Sequence, residues 1–249
     1  MEFDLHIHSK YSYDSISQPK KILEIAQKKG LAGIAITDHG TVRGGIEAMT
    51  ISNKLNLGLF VISGIEVATE YGDILGLFLS EEIKSRNTLD VIDEIKAKGG
   101  IAVLPHPYKR ASKIQQEILS KIDAIEVFNA RGERHTFDSI SRNEMARNLA
   151  RHESLPCTAG SDAHFYFEIG RGRCIIDNVS SIEDIKQAIL RGRVTVPPGT
   201  NSSPYVEPLS QVIKAFKVRE PMIFYNIARQ MSIISVFEAV NMLKSIARK

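Results

Sequence analysis

The sequence predicts an α/β fold of barrel type with a helical extension at its C-terminal end. Three observations carry this. Short apolar runs of strand length alternate with helix-length amphipathic stretches some seven times through the first 195 residues. The polar residues that interrupt this pattern fall at the C-terminal ends of the predicted strands, where a barrel enzyme assembles its site. No G-x-G-x-x-G follows the first strand, which argues against an open dinucleotide-binding sheet.

The first strand, Phe3 to His8, reads F-D-L-H-I-H. Alternate side chains of a strand share a face, so His6 and His8 point the same way and can close on one cation. A polar loop, Ser9 to Gln18, leads to a helix that Pro19 begins and Gly30 ends. Gly33 to Thr37 is a short, wholly apolar strand, as expected where helices cover both faces of a parallel sheet, and it delivers Asp38, His39 and Gly40.

A helix near Gly44 to Lys54 precedes the strand Leu59 to Ile65, which delivers Glu66. Glu70, Tyr71 and Gly72 form a tight turn into the strand Asp73 to Leu79, a hairpin rather than a crossover. The alternation resumes with a helix near Thr88 to Lys98 and the strand Ile101 to Leu104, ending in Pro105-His106-Pro107. A helix near Ser112 to Leu119 precedes the strand Ala124 to Phe128, followed by Asn129, Ala130 and Arg131. A helix of about Phe137 to His152 leads to the strand Cys157 to Gly160 and then Ser161-Asp162-Ala163-His164. Arg173 to Ile176 and a helix from Ser181 to Leu190 make the last repeat.

Pro197-Pro198-Gly199 and Asn201-Ser202-Ser203-Pro204 read as a linker, so the barrel is assigned to residues 1–200 and an extension to 201–249. In the extension Val212, Ile213 and Phe216, then Ile233, Val236, Phe237, Val240 and Leu243, fit amphipathic helices. Residues 208–249 hold seven Lys or Arg against two Glu, a balance of +5 within a whole-chain charge of +3. That basic end is expected to be a solvated helical face, with a nucleic-acid or membrane surface as the alternative.

Two cysteines, Cys157 and Cys174, have neither metal-type spacing nor the look of a disulfide framework, which favours a reducing compartment. No apolar run reaches the roughly 18 residues of a membrane span. A cytoplasmic protein without membrane association is the expectation.

Five of the seven histidines, His6, His8, His39, His106 and His164, lie in the first strand or at strand ends. His135 and His152 fall in a loop and near a helix end, where surface or capping roles are expected. Asp14, Asp38, Glu66, Asp73 and Asp162 occupy matching places among the five. Histidines and carboxylates converging on one rim are what a multinuclear metal centre requires.

D-L-H-I-H at 4 to 8, I-T-D-H at 36 to 39, G-I-E at 64 to 66, P-H-P at 105 to 107 and G-S-D-A-H at 160 to 164 occur in that order. With these pieces the sequence resembles the PHP (polymerase and histidinol phosphatase) domain family. The resemblance implies a distorted, TIM-like (β/α)7 barrel holding two or three divalent ions, zinc, manganese or iron, for phosphoester hydrolysis. It implies one site from His6, His8, Glu66 and Asp162, a second sharing Glu66 with His106, and a third from Asp14, His39 and His164. Asp73 stands where many relatives carry a histidine for the second ion, and as a carboxylate it would favour harder ions. Asp38 is expected to orient a neighbouring histidine rather than touch metal, and Glu126 to support the site from behind.

Three ions would bring roughly +6 against about −4 from Asp14, Glu66, Asp73 and Asp162, a surplus suited to a phosphate dianion. The expected reaction is hydrolysis of a phosphomonoester or nucleotide phosphate by attack of metal-bound hydroxide, with Asp162 or His164 moving the proton. Arg131, Arg171 and Lys10 are the candidate phosphate grips, and Tyr108, Phe165 and Tyr166 the candidate stacking surfaces for a base. Histidinol phosphate is one alternative substrate. A non-catalytic, metal-stabilised module that binds nucleic acid or a protein partner is the alternative of another class.

Overall fold

The computed structural model describes residues 1–109, 113–133, 141–220 and 222–246. His135, Ser112 and the stretch 137–140 of the expected helix lie outside the described residues, as do the side chains of Phe237 and Leu243.

In chain order the elements are β1 (Glu2–Ile7), α1 (Pro19–Lys28), β2 (Gly33–His39), α2 (Arg43–Leu55), β3 (Phe60–Thr69), β4 (Gly72–Leu77), α3 (Thr88–Ala97) and β5 (Ile101–Leu104). There follow α4 (Gln116–Leu119), β6 (Ala124–Asn129), α5 (Arg142–Glu153), β7 (Cys157–Gly160), β8 (Cys174–Ile175), α6 (Ile182–Leu190), α7 (Val206–Val218) and α8 (Met222–Ile246). The strands form one sheet in the order β7-β6-β5-β4-β3-β2-β1-β8. A parallel bridge between Ile7 and Ala163, with His8 N donating to Ala163 O at 2.9 Å, brings the β7 end round to β1 and nearly closes the barrel.

One apolar cluster takes residues from all eight strands, among them Phe3, Ala35, Ile62, Leu75, Val103, Ala124, Ala159 and Cys174. Only a barrel interior can collect them. Ile185 and Ile189 of α6 join this cluster. Two further clusters seat α1 and α2 on one side of the wall, and α3, α4 and α5 on another.

The pairing of β1 with β2 slips between Asp4 and Ile7. Below the slip Phe3 and Leu5 belong to the interior cluster, whereas above it Ile7 packs outward with Ile22 and Leu23 of α1. Bulges of this kind re-aim side chains beside functional sites, and this one turns His6 and His8 into the barrel mouth. Gly160 on β7 is required by the approach to β1, since a Cβ there would stand 2.2 Å from the His6 Cβ.

β4 runs antiparallel to both β3 and β5, as the hairpin reading requires. Three expectations are corrected. The segment at 173–176 is not a parallel repeat: β8 has two residues and pairs antiparallel with β1, across a chain reversal at Gly170 to Gly172. The helix expected near 112–119 is a single turn in its described part, Gln116–Leu119. The apolar stripe expected through Phe216 is only partly covered: Phe216 is 72% exposed, Val212 and Ile213 are half-buried, and α7 buries Val206, Pro208, Ser210 and Ala215. Ile233 and Val236 of α8 are likewise exposed. Neither cysteine is in a disulfide. Among the described residues no helix is long and apolar enough to cross a membrane.

Candidate metal centre

His6 near the end of β1 and His8 just beyond it enter a rim where β2 and β3 place His39 and Glu66 side by side, paired in register. His106 and Asp162 come from the loops after β5 and β7, both with positive φ, 28° and 52°. Non-glycine residues in that region carry backbone strain, which concentrates at functional sites.

The two Nε2 atoms of His6 and His8 are 3.1 Å apart. His8 Nε2 lies 3.3 Å from Glu66 Oε2 and 3.2 Å from Asp162 Oδ1, and His6 Nε2 lies 3.6 Å from each of the same two oxygens. His106 Nε2 meets the other Glu66 oxygen at 3.0 Å. Asp14 Oδ2 stands 3.3 Å from His39 Nε2 and 3.2 Å from His164 Nε2. Three groups have ligand atoms mutually within 4.8 Å: His6, His8 and Asp162; His6, Glu66 and His106; and His8, His39 and His164. The third differs from the expected set by taking His8, with Asp14 reaching its other two members. Asp73 is buried beside His106 in the cavity wall but belongs to none of the three groups.

The hydrogen bonds behind these atoms decide what the centre accepts. Glu126 Oε1 lies 3.0 Å from His6 Nδ1, so that nitrogen donates and the lone pair of Nε2 faces inward. Ser12 Oγ donates to Asp38 Oδ1 and therefore accepts from His8 Nδ1 at 3.0 Å, which again leaves an inward lone pair. His164 Nδ1 donates to Asp162 O at 2.8 Å, turning its Nε2 toward the Asp14 carboxylate. Lone pairs facing lone pairs and carboxylates need positive charge between them. Asp14 Oδ1 is buried with no protein partner, a further acceptor without a donor. The donor set fits divalent cations. Asp38 acts on His8 through Ser12, and Glu126 also accepts from His106 N and Asn129 Nδ2.

In the metal-free chain protons supply part of that charge. Burial opposes a charge on His6, but Glu126 and Asp162 outweigh it and hold its pKa well above the ordinary value. Burial likewise opposes a charge on His39, and Glu66 and Asp14 overcome it, raising its pKa to about 10. His8 is pushed well below its ordinary value by burial and by the charges of His164 and His39. Glu66 and Asp162 stay ionised despite burial, held by His39 in one case and by Lys109 and His6 in the other.

A cavity of 340 Å³ lies over these residues. Its floor includes Asp14, His39, Glu66, His106, Asp162 and His164, and its roof is Glu207, Gln211 and Lys214 of α7 with Gln230 of α8. Arg131 lines it, and its Nε and Nη2 bond Glu168 at 2.8 and 2.7 Å and its Nη1 bonds Ser210 Oγ, which commits three of its five N–H donors. Lys10 pairs with Glu47, and Arg171 donates to Asn201 O; neither is among the lining residues. Tyr108, Phe165 and Tyr166 are also outside the lining, and Phe165 stacks on Phe167. The aromatic ring in the wall is Tyr13, stacked on His39 at 4.5 Å. His152 is exposed and bonds Glu153.

Sequence reasoning missed Lys109, whose Nζ lies 3.0 Å from Asp162 Oδ2. Its position three residues after His106, in a strand-end loop, was a usable signal. Nothing local marks Glu207, Gln211 or Lys214, which reach the cavity through the docking of α7.

A family model described as PHP domain matches residues 4–145, and one described as PHP-associated matches residues 141–194. An uncharacterized protein of Methanocaldococcus jannaschii is 38% identical over 162 residues, which is 60% of this chain and 94% of its own. Among solved structures, a two-domain protein of Bacteroides vulgatus containing a predicted PHP-like metal-dependent phosphoesterase superposes with a TM-score of 0.66 at 19% identity, covering 84% of this chain and 68% of that one. An amidohydrolase of Chromobacterium violaceum, solved with bound sulfate and no metal, gives a TM-score of 0.56 at 19% identity, covering 78% of this chain and 98% of that one. At such identities the likeness to the solved structures is one of fold.

Proposed function

From the premise that the chain belongs to the PHP domain family, we propose that it is a metal-dependent phosphoesterase acting on a small phosphomonoester or nucleotide. The observation that carries this reading is the pair of inward lone pairs on His6 and His8, 3.1 Å apart and flanked by Glu66 and Asp162. His6, His8, Glu66 and Asp162 would hold one divalent ion. Glu66 and His106 would hold a second, with Asp73 beside them, and Asp14, His39 and His164 a third. Zinc, manganese and iron all suit imidazole with carboxylate. Bound there, such ions supply Lewis acidity and lower the pKa of water, and the chain needs no side-chain nucleophile.

The chain's own residues do the rest. Glu126 and the Ser12–Asp38 pair fix the histidine tautomers. Lys109, next to Asp162, is the cation placed to meet a phosphate oxygen or the charge growing on the leaving oxygen. Asp162, held ionised with Oδ2 on Lys109, would orient that ammonium toward the leaving oxygen, while His164 has its Nδ1 spent on a carbonyl. Residues 1–200 are taken as the catalytic barrel and 201–249 as its cover. A roofed cavity of 340 Å³ suits a small ligand more than an internal linkage of a long nucleic acid. Lys214 and Lys217, two of the extension's basic residues, are turned to the barrel, which favours cover over a nucleic-acid surface.

A panel of phosphomonoesters and nucleotides assayed with manganese, zinc and iron tests the reading, with His8→Ala as control. Turnover of at least one ester that His8→Ala abolishes is expected. Turnover untouched by that substitution, or none with ions bound, would overturn it.

A further inference from the structure

The loop that carries Asp14 to the metal centre is gripped by α7. Lys217, in the last turn of α7, donates to the carbonyls of Lys10 and Ser12 at 2.8 Å and of Ser15 at 2.6 Å. An ammonium has three donors, and here all three are matched by backbone oxygens of one short loop. One turn earlier Lys214 Nζ lies 4.5 Å from the centroid of the Tyr13 ring, and Tyr13 stacks on His39. The loop itself has no strand or helix to fix it. Its other anchors are Tyr11 Oη on Glu47 and Ser12 Oγ on Asp38 and, at its ends, Lys10 N donating to Ser17 O and Ser15 Oγ to His164 O; none of these holds the backbone of residues 13 and 14 directly. Between them stands Asp14, buried, with one oxygen aimed at His39 and His164 and the other without a partner.

We propose that Lys217 is a positioning residue for the cation site of Asp14, His39 and His164, setting the backbone of residues 10–15 so that the Asp14 carboxylate meets both imidazoles. The proposal rests on the assignment of those three residues to one cation made above. Without the ammonium, three carbonyls lose their shared donor, and the backbone on both sides of Asp14 is freer to let a buried, half-satisfied carboxylate turn toward water. Because coupling between sites is reciprocal, filling the cation site must in turn stabilise the docking of α7.

The test uses the full chain and Mn²⁺ as the probe. Bound ions are counted by equilibrium dialysis and elemental analysis in the wild type, Asp14→Ala and Lys217→Met. Both variants are expected to lose the same single ion, or to bind it at least about tenfold more weakly, while the remaining ions stay. Lys217→Met with wild-type stoichiometry and affinity would overturn the proposal. If Asp14→Ala keeps every ion, the site assignment fails instead, and the clamp loses its purpose with it. Should Lys217→Met not fold, hydrogen exchange in the wild type decides. Amides of residues 10–17 and 206–218 must slow together as the last ion binds, and unchanged exchange at 206–218 contradicts the inference.

Discussion

His6 and His39 hold protons in the metal-free chain because carboxylates surround them, whereas His8, crowded by His164 and His39, does not. Ligation requires the lone pair, so ion uptake at pH 7 must expel protons from His6 and His39. The heat of Mn²⁺ binding should therefore depend on the ionisation enthalpy of the buffer, and affinity should fall as pH falls. Equal heats in two buffers of different ionisation enthalpy would contradict the assignment. In the metal-free chain the sign runs the other way for folding. The raised pKa of His39 stabilises the fold fully below pH 6.5, and that contribution is lost as pH rises through about 10. At this scale much of the site was legible, because histidine and carboxylate at strand ends are rare enough to stand out. Less legible is which cations are already paired: Arg131 reads as free in sequence, yet it lines the cavity with two nitrogens bonded to Glu168, 37 positions away.

Elements were legible where periodicity and caps agree. Ser181 opens α6 with a capping box that its Asp184 completes, and Pro19 opens α1. Legibility failed where tertiary pairing decides: the two-residue β8 exists only against β1, and the buried face of α7 is set by the barrel beneath it. Glu94 of α3 shows an element anchoring its own approach. Its carboxylate accepts from Lys84 N at 3.1 Å and Ser85 N at 2.9 Å, and those amides pull its pKa down to about 2. A depressed carboxylate stabilises above its ordinary pKa of 4.5, and that stability is lost as pH falls through about 2. Glu94→Gln is accordingly expected to lower the denaturation midpoint at pH 7, with the gap to wild type closing as the pH approaches 2. A gap that persists there would mean the amide bonds carry nothing specific to the charge.

For the whole molecule, the buried carboxylates Asp14, Glu66 and Asp162 meet in one mouth, and ions that bind only the folded chain stabilise it by mass action. At ion concentrations about 100 times the dissociation constant each site adds ~2.7 kcal/mol. Chelation should then lower the melting temperature by roughly 5–10 °C per site for a domain of this size. Calorimetry with and without chelator checks this, and an unchanged melting temperature would argue against ions binding the folded state. The barrel class was readable from alternation alone, whereas the placement of α7 beside the cavity was not, because basic, partly apolar helices also read as a free surface. Phe216, Met222 and Tyr225 remain exposed on these helices.

The slip in β1 has a consequence in time. The strand that carries His6 leaves the ribosome before its partners, which are β2 on one side, β8 and the segment at Ala163 on the other, and Lys217 on the loop that follows. Contacts separated by some 155 to 205 residues are made late and slowly. The proposed metal centre is thus among the last parts of the chain to mature, and an emerging polypeptide with only its first half outside the tunnel would have no finished cage in which to trap an ion.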